Sequence, residues 1–473
     1  MVTEEPGFTV EVFQNEYLPQ GGREVNAIVT VTATGDDSEA GAPATPGTPG
    51  TLGAEAAEVI IFDRSSSMDY PPTKLKAAKQ ATAAAIDTLR DGVWFGVVAG
   101  NHEARMCYPP AGLARADAVS RGRAKAAVAT ITADGGTAIG QWLQAAARLF
   151  AGHPDAIRHA ILLTDGRNQH ERPAELQAVI DGCLGAFTCD CRGIGTDWEV
   201  GELRRVATAL LGTVDIVAEP AGLAADFRAM AAAAMGKRLA EVSLRLWTPQ
   251  GSTVRFVKQV SPDVLDLTGR AEPAGPRTAD YPTGSWGVQS RDYHVCVEVA
   301  PAGVGDRMLA GRIGIVLPDG GASGAGSDGG ASGAGSGKGA GSGTVLAQGR
   351  MLAVWTDDET LSTQINKAVA HYTGQSELAD AIQQGLAARK AGDVETATAK
   401  LGRAVALATA HGNDDTAKLL ARVVEVHDPV TGTVRLRARV AAVDEMTLDT
   451  RSTRTARPPR PAVQAGDENA GRH

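Results

Sequence analysis

Residues 59–68 read VIIFDRSSSM. Four large apolar residues in succession, Val59 to Phe62, without polar alternation, predict a strand buried on both faces. The strand ends in Asp63, and Ser65 and Ser67 follow at alternate positions. Hard cations take oxygen ligands, so two hydroxyls and a carboxylate at a strand's C-terminal end can hold Mg²⁺ if another acid and hydroxyl approach from neighbouring loops. Both are present. HAILLTDG (159–166) puts Asp165 at the end of another strand, and ADGGTAIG (133–140) puts Thr137 before a helix, in a Gly-rich loop that permits close backbone approach.

Outward from that stretch, apolar runs alternate with amphipathic ones from Glu55 to Lys237, which predicts a parallel sheet covered by helices, a doubly wound α/β unit. Buried strands are expected at 57–63, 93–100, 159–165, 187–195 and 214–219, with 103–109 as an edge strand. Helices are expected at 74–90, 115–131, 138–150, 174–184, 199–211 and 223–239. Asp63, Ser65 and Ser67 alone read equally well as a turn and helix cap. Thr137 and Asp165 at matching strand ends favour the metal reading. Asp134 competes with Thr137 for the loop position, and Thr137 ranks first because it follows Gly135 and Gly136; Asp69 reads as a loop residue.

Asp-x-Ser-x-Ser, a later loop Thr and a later strand-end Asp form the pattern of the metal-ion-dependent adhesion site, and over about 180 residues the chain resembles the von Willebrand factor type A (VWA) family. The resemblance implies a Rossmann-like fold in which Ser65, Ser67 and Thr137 ligate Mg²⁺ directly, or Mn²⁺, while Asp63 and Asp165 act through bound water or as nearby acceptors. It also implies a non-enzymatic role: a protein partner supplies a carboxylate to the metal. Some relatives are associated with bacterial Ser/Thr kinase, phosphatase and forkhead-associated (FHA) signalling, or with tellurite and stress responses. The alternative is the non-ATPase subunit of a chelatase-like AAA+ machine, which needs an ATPase partner.

The rest of the 473 residues divides by composition. Residues 1–34 alternate as strands and are expected to complete a β-sandwich formed mainly by 240–356, so that the unit at 55–239 is inserted in it. Residues 35–54 read as a flexible linker, and 320–343, a Gly/Ser/Ala repeat, as a disordered loop inside a hairpin. Residues 357–427 read as a small helical domain with one tetratricopeptide-like hairpin. Residues 428–473 read as a mostly disordered tail, in which Thr447, Thr450, Ser452, Thr453 and Thr455 lie among arginines and could be phosphorylated and read by a kinase or FHA-domain partner.

Charge and cysteine usage bound the function. The net charge of −9 argues against a main task of gripping nucleic acid or anionic lipid. Five scattered cysteines do not make a secreted disulfide framework, Glu4 and Glu5 stand where a secretory signal needs positive charge, and no apolar run approaches the ~20 residues that span a bilayer. A cytoplasmic protein is expected, and 35 Arg against 11 Lys, with abundant Ala and Gly, suits a GC-rich bacterial genome. Cys183, Cys189 and Cys191 offer thiols for a zinc or redox group, but alternation puts Cys189 and Cys191 on one strand face, where free cysteine is commonly a small buried hydrophobe. His170-Glu171 lacks the second histidine of a zinc-protease helix and reads as a solvated loop. GSGKG (335–339) fails the phosphate-loop pattern at both ends.

Overall fold

The computed structural model of the protein describes residues 7–35, 55–318, 343–455 and 457. The chain opens with β1 (Gly7–Gln14), β2 (Tyr17–Pro19) and β3 (Glu24–Thr34). The α/β unit runs β4 (Ala56–Asp63), α1 (Thr73–Thr88), β5 (Trp94–Gly100), β6 (Ala104–Tyr108), β7 (Ala114–Arg115), α2 (Ala118–Ala129), α3 (Ile139–Phe150), β8 (Ile157–Thr164), α4 (Pro173–Gly182), β9 (Thr188–Ile194), α5 (Val200–Ala209), β10 (Val214–Val217) and α6 (Leu223–Met235). Strands follow: β11 (Lys237–Trp247), β12 (Thr253–Ser261), β13 (Leu265–Asp266), β14 (Glu272–Gly275), β15 (Thr278–Gly287), β16 (Gln289–Glu298), β17 (Arg307–Pro318) and β18 (Gly343–Thr356). The C-terminal part holds α7 (Glu359–Ser362), α8 (Lys367–Lys390), α9 (Val394–Ala410), α10 (Asp414–Val423), β19 (Val424–Asp428), β20 (Thr433–Leu436) and α11 (Ala442–Arg451).

Val59 to Phe62 are fully buried because β4 is the middle of a sheet ordered β10-β9-β8-β4-β5-β6. It pairs in parallel with both β5 and β8, and only β6 and the short β7 run antiparallel. Alternate side chains feed two cores. Ile60 and Phe62 pack with Leu75, Ile86 and Phe227 on one face. Val59 and Ile61 pack with Trp142, Leu143 and Leu203 on the other. Each such side chain contributes about 1.5–3 kcal/mol of burial, enough to offset the ordering of its own residue. In chain order the sheet grows from β4 to one side through β5 and β6, then restarts on the other side with β8, β9 and β10. The loops leaving β4 and β8 therefore diverge and open a crevice at the strands' C-terminal ends.

The β-sandwich consists of the sheets β1-β3-β16-β12-β13 and β14-β15-β11-β17-β18-β2. Val29, Val31, Leu244, Trp286, Tyr293, Ile313 and Trp355 lie in its core. The N-terminal strands thus close a sandwich whose other strands lie beyond the α/β unit. β17 and β18 pair antiparallel out to Pro318↔Gly343, so the repeat joins the two arms of a hairpin. Its own residues 319–342, like 36–54, lie outside the described residues. Among the described residues no helix is long and apolar enough to cross a membrane.

Two expectations fail. The helix expected over 223–239 stops at Met235; Gly236 follows, and Lys237 and Leu239 pair with Gly287 and Trp286 as the start of β11. Sheet pairing there overrides the helical pattern. The tail expected to be mostly disordered from 428 is folded as far as 455. β19 and β20 make a hairpin from Val424↔Leu436, and α11 follows. Val443 and Met446 of α11 pack against the α/β unit, whereas Leu448 is fully buried among Leu401, Leu420 and Val423. With its apolar residues split between two surfaces, the helix shows no single apolar stripe in sequence.

Candidate metal centre

The turn after β4 is fixed by main-chain hydrogen bonds. Arg64 N–H donates to Gly100 O at 2.7 Å, Asp134 N–H to Arg64 O at 2.8 Å and Ser66 N–H to Gly135 O at 2.9 Å. The loop carrying Thr137 is thereby stitched to the loop carrying the serines. Gly135 has φ +72°, a left-handed conformation that favours glycine, and a Cβ on Gly136 would fall 1.7 Å from His170 Cε1. From the loop after β8, His170 Nδ1 accepts the Thr137 N–H at 3.3 Å. Glu171 accepts the N–H groups of Gly140 and Gln141 at the start of α3, at 2.8 and 3.0 Å. The expected solvated loop at His170-Glu171 instead braces the Thr137 loop.

The structure brings all five sequence-predicted residues to the crevice between β4 and β8. Asp63 is fully buried; its Oδ1 accepts the Ser65 N–H at 2.7 Å and its Oδ2 the Thr164 hydroxyl at 2.6 Å. Ser65 Oγ lies 2.9 Å from Ser67 Oγ, which donates to Asp165 Oδ1 at 2.7 Å. A Cβ on Gly166 would lie 3.1 Å from Thr137 Oγ1, 3.4 Å from Ser67 Oγ and 4.0 Å from Asp63 Oδ2. Three loops thus turn oxygens toward one space, which the bare glycine leaves open. The donor set is two carboxylates and three hydroxyls, without nitrogen or sulfur, and it fits a hard divalent cation.

The electrostatics are those of a crowded acidic pocket. Burial pushes Asp63 up to about 6, against the hydrogen bonds from Ser65 and Thr164, and the nearby Asp165 charge adds to the rise. Lys74, from α1, donates to Asp165 Oδ2 at 2.7 Å and to Asp197 Oδ2 at 3.2 Å. Its burial works to lower the ammonium's pKa, but the two carboxylates outweigh that and hold it above the ordinary lysine value. Lys74, Thr164 and Asp197 carried no sequence signal of their own. Thr164 precedes Asp165 at the strand end, and that position was the one available hint.

The competing candidates lie elsewhere. Asp134 pairs with Arg64 at 2.6 Å and accepts from Asn101 Nδ2 at 2.7 Å on the outer side of the loop. Asp69 is exposed. Cys183, Cys189 and Cys191 are buried in the apolar core, with 3.9 Å between the sulfurs of Cys189 and Cys191. Among the described residues no group of three His, Cys, Asp or Glu side chains could hold a metal ion. The tail hydroxyls do not form an accessible cluster either. Thr450 and Ser452 are buried, and Thr455 Oγ1 donates to Val260 O at 2.6 Å.

Known proteins share this architecture. The family profile of the von Willebrand factor type A domain matches residues 57–216, and that of the von Willebrand factor type A C-terminal domain matches 406–452. The solved structure of a von Willebrand factor type A protein from Catenulispora acidiphila is 51% identical, with TM-score 0.86 over 96% of this chain and 98% of that one. The ArnB paralog VWA2 from Sulfolobus acidocaldarius is similar in fold alone, at 12% identity and TM-score 0.53 over 94% of this chain and 98% of that one. A Synechocystis protein is 29% identical over 216 residues, 44% of this chain, and the match spans about half of that relative's length. The sheet order, the oxygen-lined crevice at its switch point and near-complete alignment with a relative at 51% identity lead to one assignment: the chain belongs to the von Willebrand factor type A family.

Proposed function

We propose that the protein is a binding scaffold that captures a protein partner through a divalent cation, Mg²⁺ or Mn²⁺, at Asp63, Ser65, Ser67, Thr137 and Asp165. The observation that carries this reading is the convergence of Thr137 Oγ1, Ser67 Oγ and Asp63 Oδ2 on the space above Gly166. Ser65, Ser67 and Thr137 offer neutral oxygens to the cation, while Asp63 and Asp165 hold those hydroxyls and any bound water in place. A cation so held keeps enough charge to accept a carboxylate from a partner as its remaining ligand. The task of the chain is then to orient and to bind, without bond-making chemistry. Five free cysteines, four of them buried, suit a reducing cytoplasm. The buried Thr450 and Ser452 withdraw support from a phosphorylated tail as the route to kinase or FHA partners.

The test is affinity capture from native extract with wild type and Asp63→Ala, each with Mg²⁺ and with EDTA. Partners lost in both the variant and the chelator, and regained by the wild type on adding Mg²⁺, are the expected result. Identical capture under all conditions would show that binding does not pass through this site.

A further inference from the structure

A cavity of about 680 Å³ lies at the opposite end of the α/β sheet from the candidate metal centre. His159, Thr188, Asp190 and Thr213, near the N-terminal ends of β8, β9 and β10, form one wall. Strands β12 and β16 of the sandwich and helix α8 form the others. The volume falls within the range of small-molecule sites, about 300–1,000 Å³. Several of the charges around it are neutralised. Arg192 pairs with Asp226, Arg204 with Asp449 and Arg454 with Asp215, at 2.7, 2.7 and 2.5 Å. Asp190 is held by His159 Nε2 at 3.1 Å and by the Thr213 hydroxyl at 2.7 Å.

Three lining cations meet no carboxylate: Lys258, whose ammonium lies 5.2 Å from the Phe256 ring centroid, and the pair Lys237 and Arg291. Lys237 Nζ donates to Gln289 Oε1 at 2.8 Å and has no ion pair among the described residues. Two of its three ammonium N–H bonds thus have no partner among the described residues. Gln289, which shares the cavity wall, leaves its buried Nε2 without a hydrogen bond. Arg291 stacks 4.4 Å from the Trp286 ring centroid and donates to the carbonyls of Thr283 and Ser285, at 2.5 and 2.7 Å, so its charge also meets no carboxylate. Burial, with the Arg291 charge alongside, pushes Lys237 down to about 8 against the pull of the nearby Asp190 charge, which leaves it mostly protonated at neutral pH. Asp263 is half-buried with no ion pair among the described residues, and desolvation raises it to about 6. Asp266 is tied to the Thr268 N–H at 2.8 Å and Asp380 is exposed.

We propose that this cavity binds a small molecule carrying a compact oxyanion, a phosphate group, with Lys237 as the residue that takes the anion. A half-buried ammonium with one hydrogen bond and no ion pair is costly, and an oxyanion entering the cavity supplies the close counter-charge and the acceptors that Lys237 lacks. Arg291 adds positive potential without spending donors on a protein carboxylate. The site lies away from Asp63 and Asp165 and does not rest on the metal reading.

The test is calorimetric titration of the full chain with inorganic phosphate and with glycerol 3-phosphate, at constant ionic strength and in EDTA. Wild type and Lys237→Met are compared, with their melting temperatures measured in the same buffer. Lys237→Met removes an unpaired charge and keeps the stem, so its melting temperature is expected to hold or rise. Lys237→Gln serves if the Met variant does not fold. The expected result is saturable binding in the wild type that weakens roughly tenfold or more in the folded variant, the loss of one charged hydrogen bond. No saturable heat from either probe in the wild type, or equal affinity in the folded variant, would overturn the proposal.

Discussion

Lys74 Nζ lies 2.7 Å from Asp165 Oδ2 with its side chain 8% exposed, so a cation entering the crevice must share Asp165 with an ammonium. Lys74→Met leaves that carboxylate buried without its partner, a change that costs about 3–5 kcal/mol in comparable buried pairs. The variant is therefore expected to melt well below wild type in EDTA, and to gain more than wild type when Mg²⁺ is added, because the cation no longer competes with the lysine. Equal melting temperatures in EDTA would show that the pair does not hold the site together. Asp63 supplies a pH dependence of definite sign. Its folded value of about 6 lies above the ordinary 3.8, so the proton favours the folded chain, and this contribution is lost as pH rises from about 4 through 6. A cation must displace that proton; its affinity should hold above pH 6 and fall by about tenfold per unit below it. Mn²⁺ titrations at pH 5 and 7.5 check this, and a flat profile would contradict it. At this scale the meeting of Asp63, Ser65, Ser67, Thr137 and Asp165 at one crevice was legible because each stands beside a local signal, a strand end or a Gly pair. Lys74 was not, because its partner Asp165 is 91 positions away and a lysine on a helix reads as solvated.

Among the elements, α11 was the hardest to foresee. Its first turns face the α/β unit through Val443 and Met446, and its last turn enters the helical core through Leu448. Asp215 at β10 receives Arg451 and Arg454, and Arg457 reaches Asp292 at 2.9 Å, so the segment is also tied by charge. Leu448→Ala should destabilise the protein by about 2–5 kcal/mol, the usual cost of such a core truncation. Thermal or chemical denaturation measures it, and an unchanged transition would mean that α11 is not part of the cooperative fold. The central strands were legible from their unbroken apolar runs, and the edge strand β6 from its weaker one. Where a helix gave way to a strand at Gly236, the sequence pattern for both was locally acceptable, and pairing with Trp286 and Gly287 decided between them.

For the whole molecule, the insertion of the α/β unit between the strands of one sandwich was legible because residues 9–34 alternate in polarity and have no other sheet to join. In the structure β3 lies inside its sheet, between β1 and β16, and is largely buried, while β1 forms the sheet's edge. The cavity between the α/β unit, the sandwich and α8 was not legible, since it depends on how three units meet. The crevice at the sheet's switch point follows from strand order. The most direct measurement is a Mn²⁺ titration of the full chain, followed by the paramagnetic signal of the free ion, for wild type and for Asp63→Ala. A single saturable site in the wild type, emptied by excess Mg²⁺ and absent from a folded Asp63→Ala, is the predicted result. Mn²⁺ uptake that is the same in both proteins, or missing from both, would contradict the reading of Asp63, Ser65, Ser67, Thr137 and Asp165 as a metal centre.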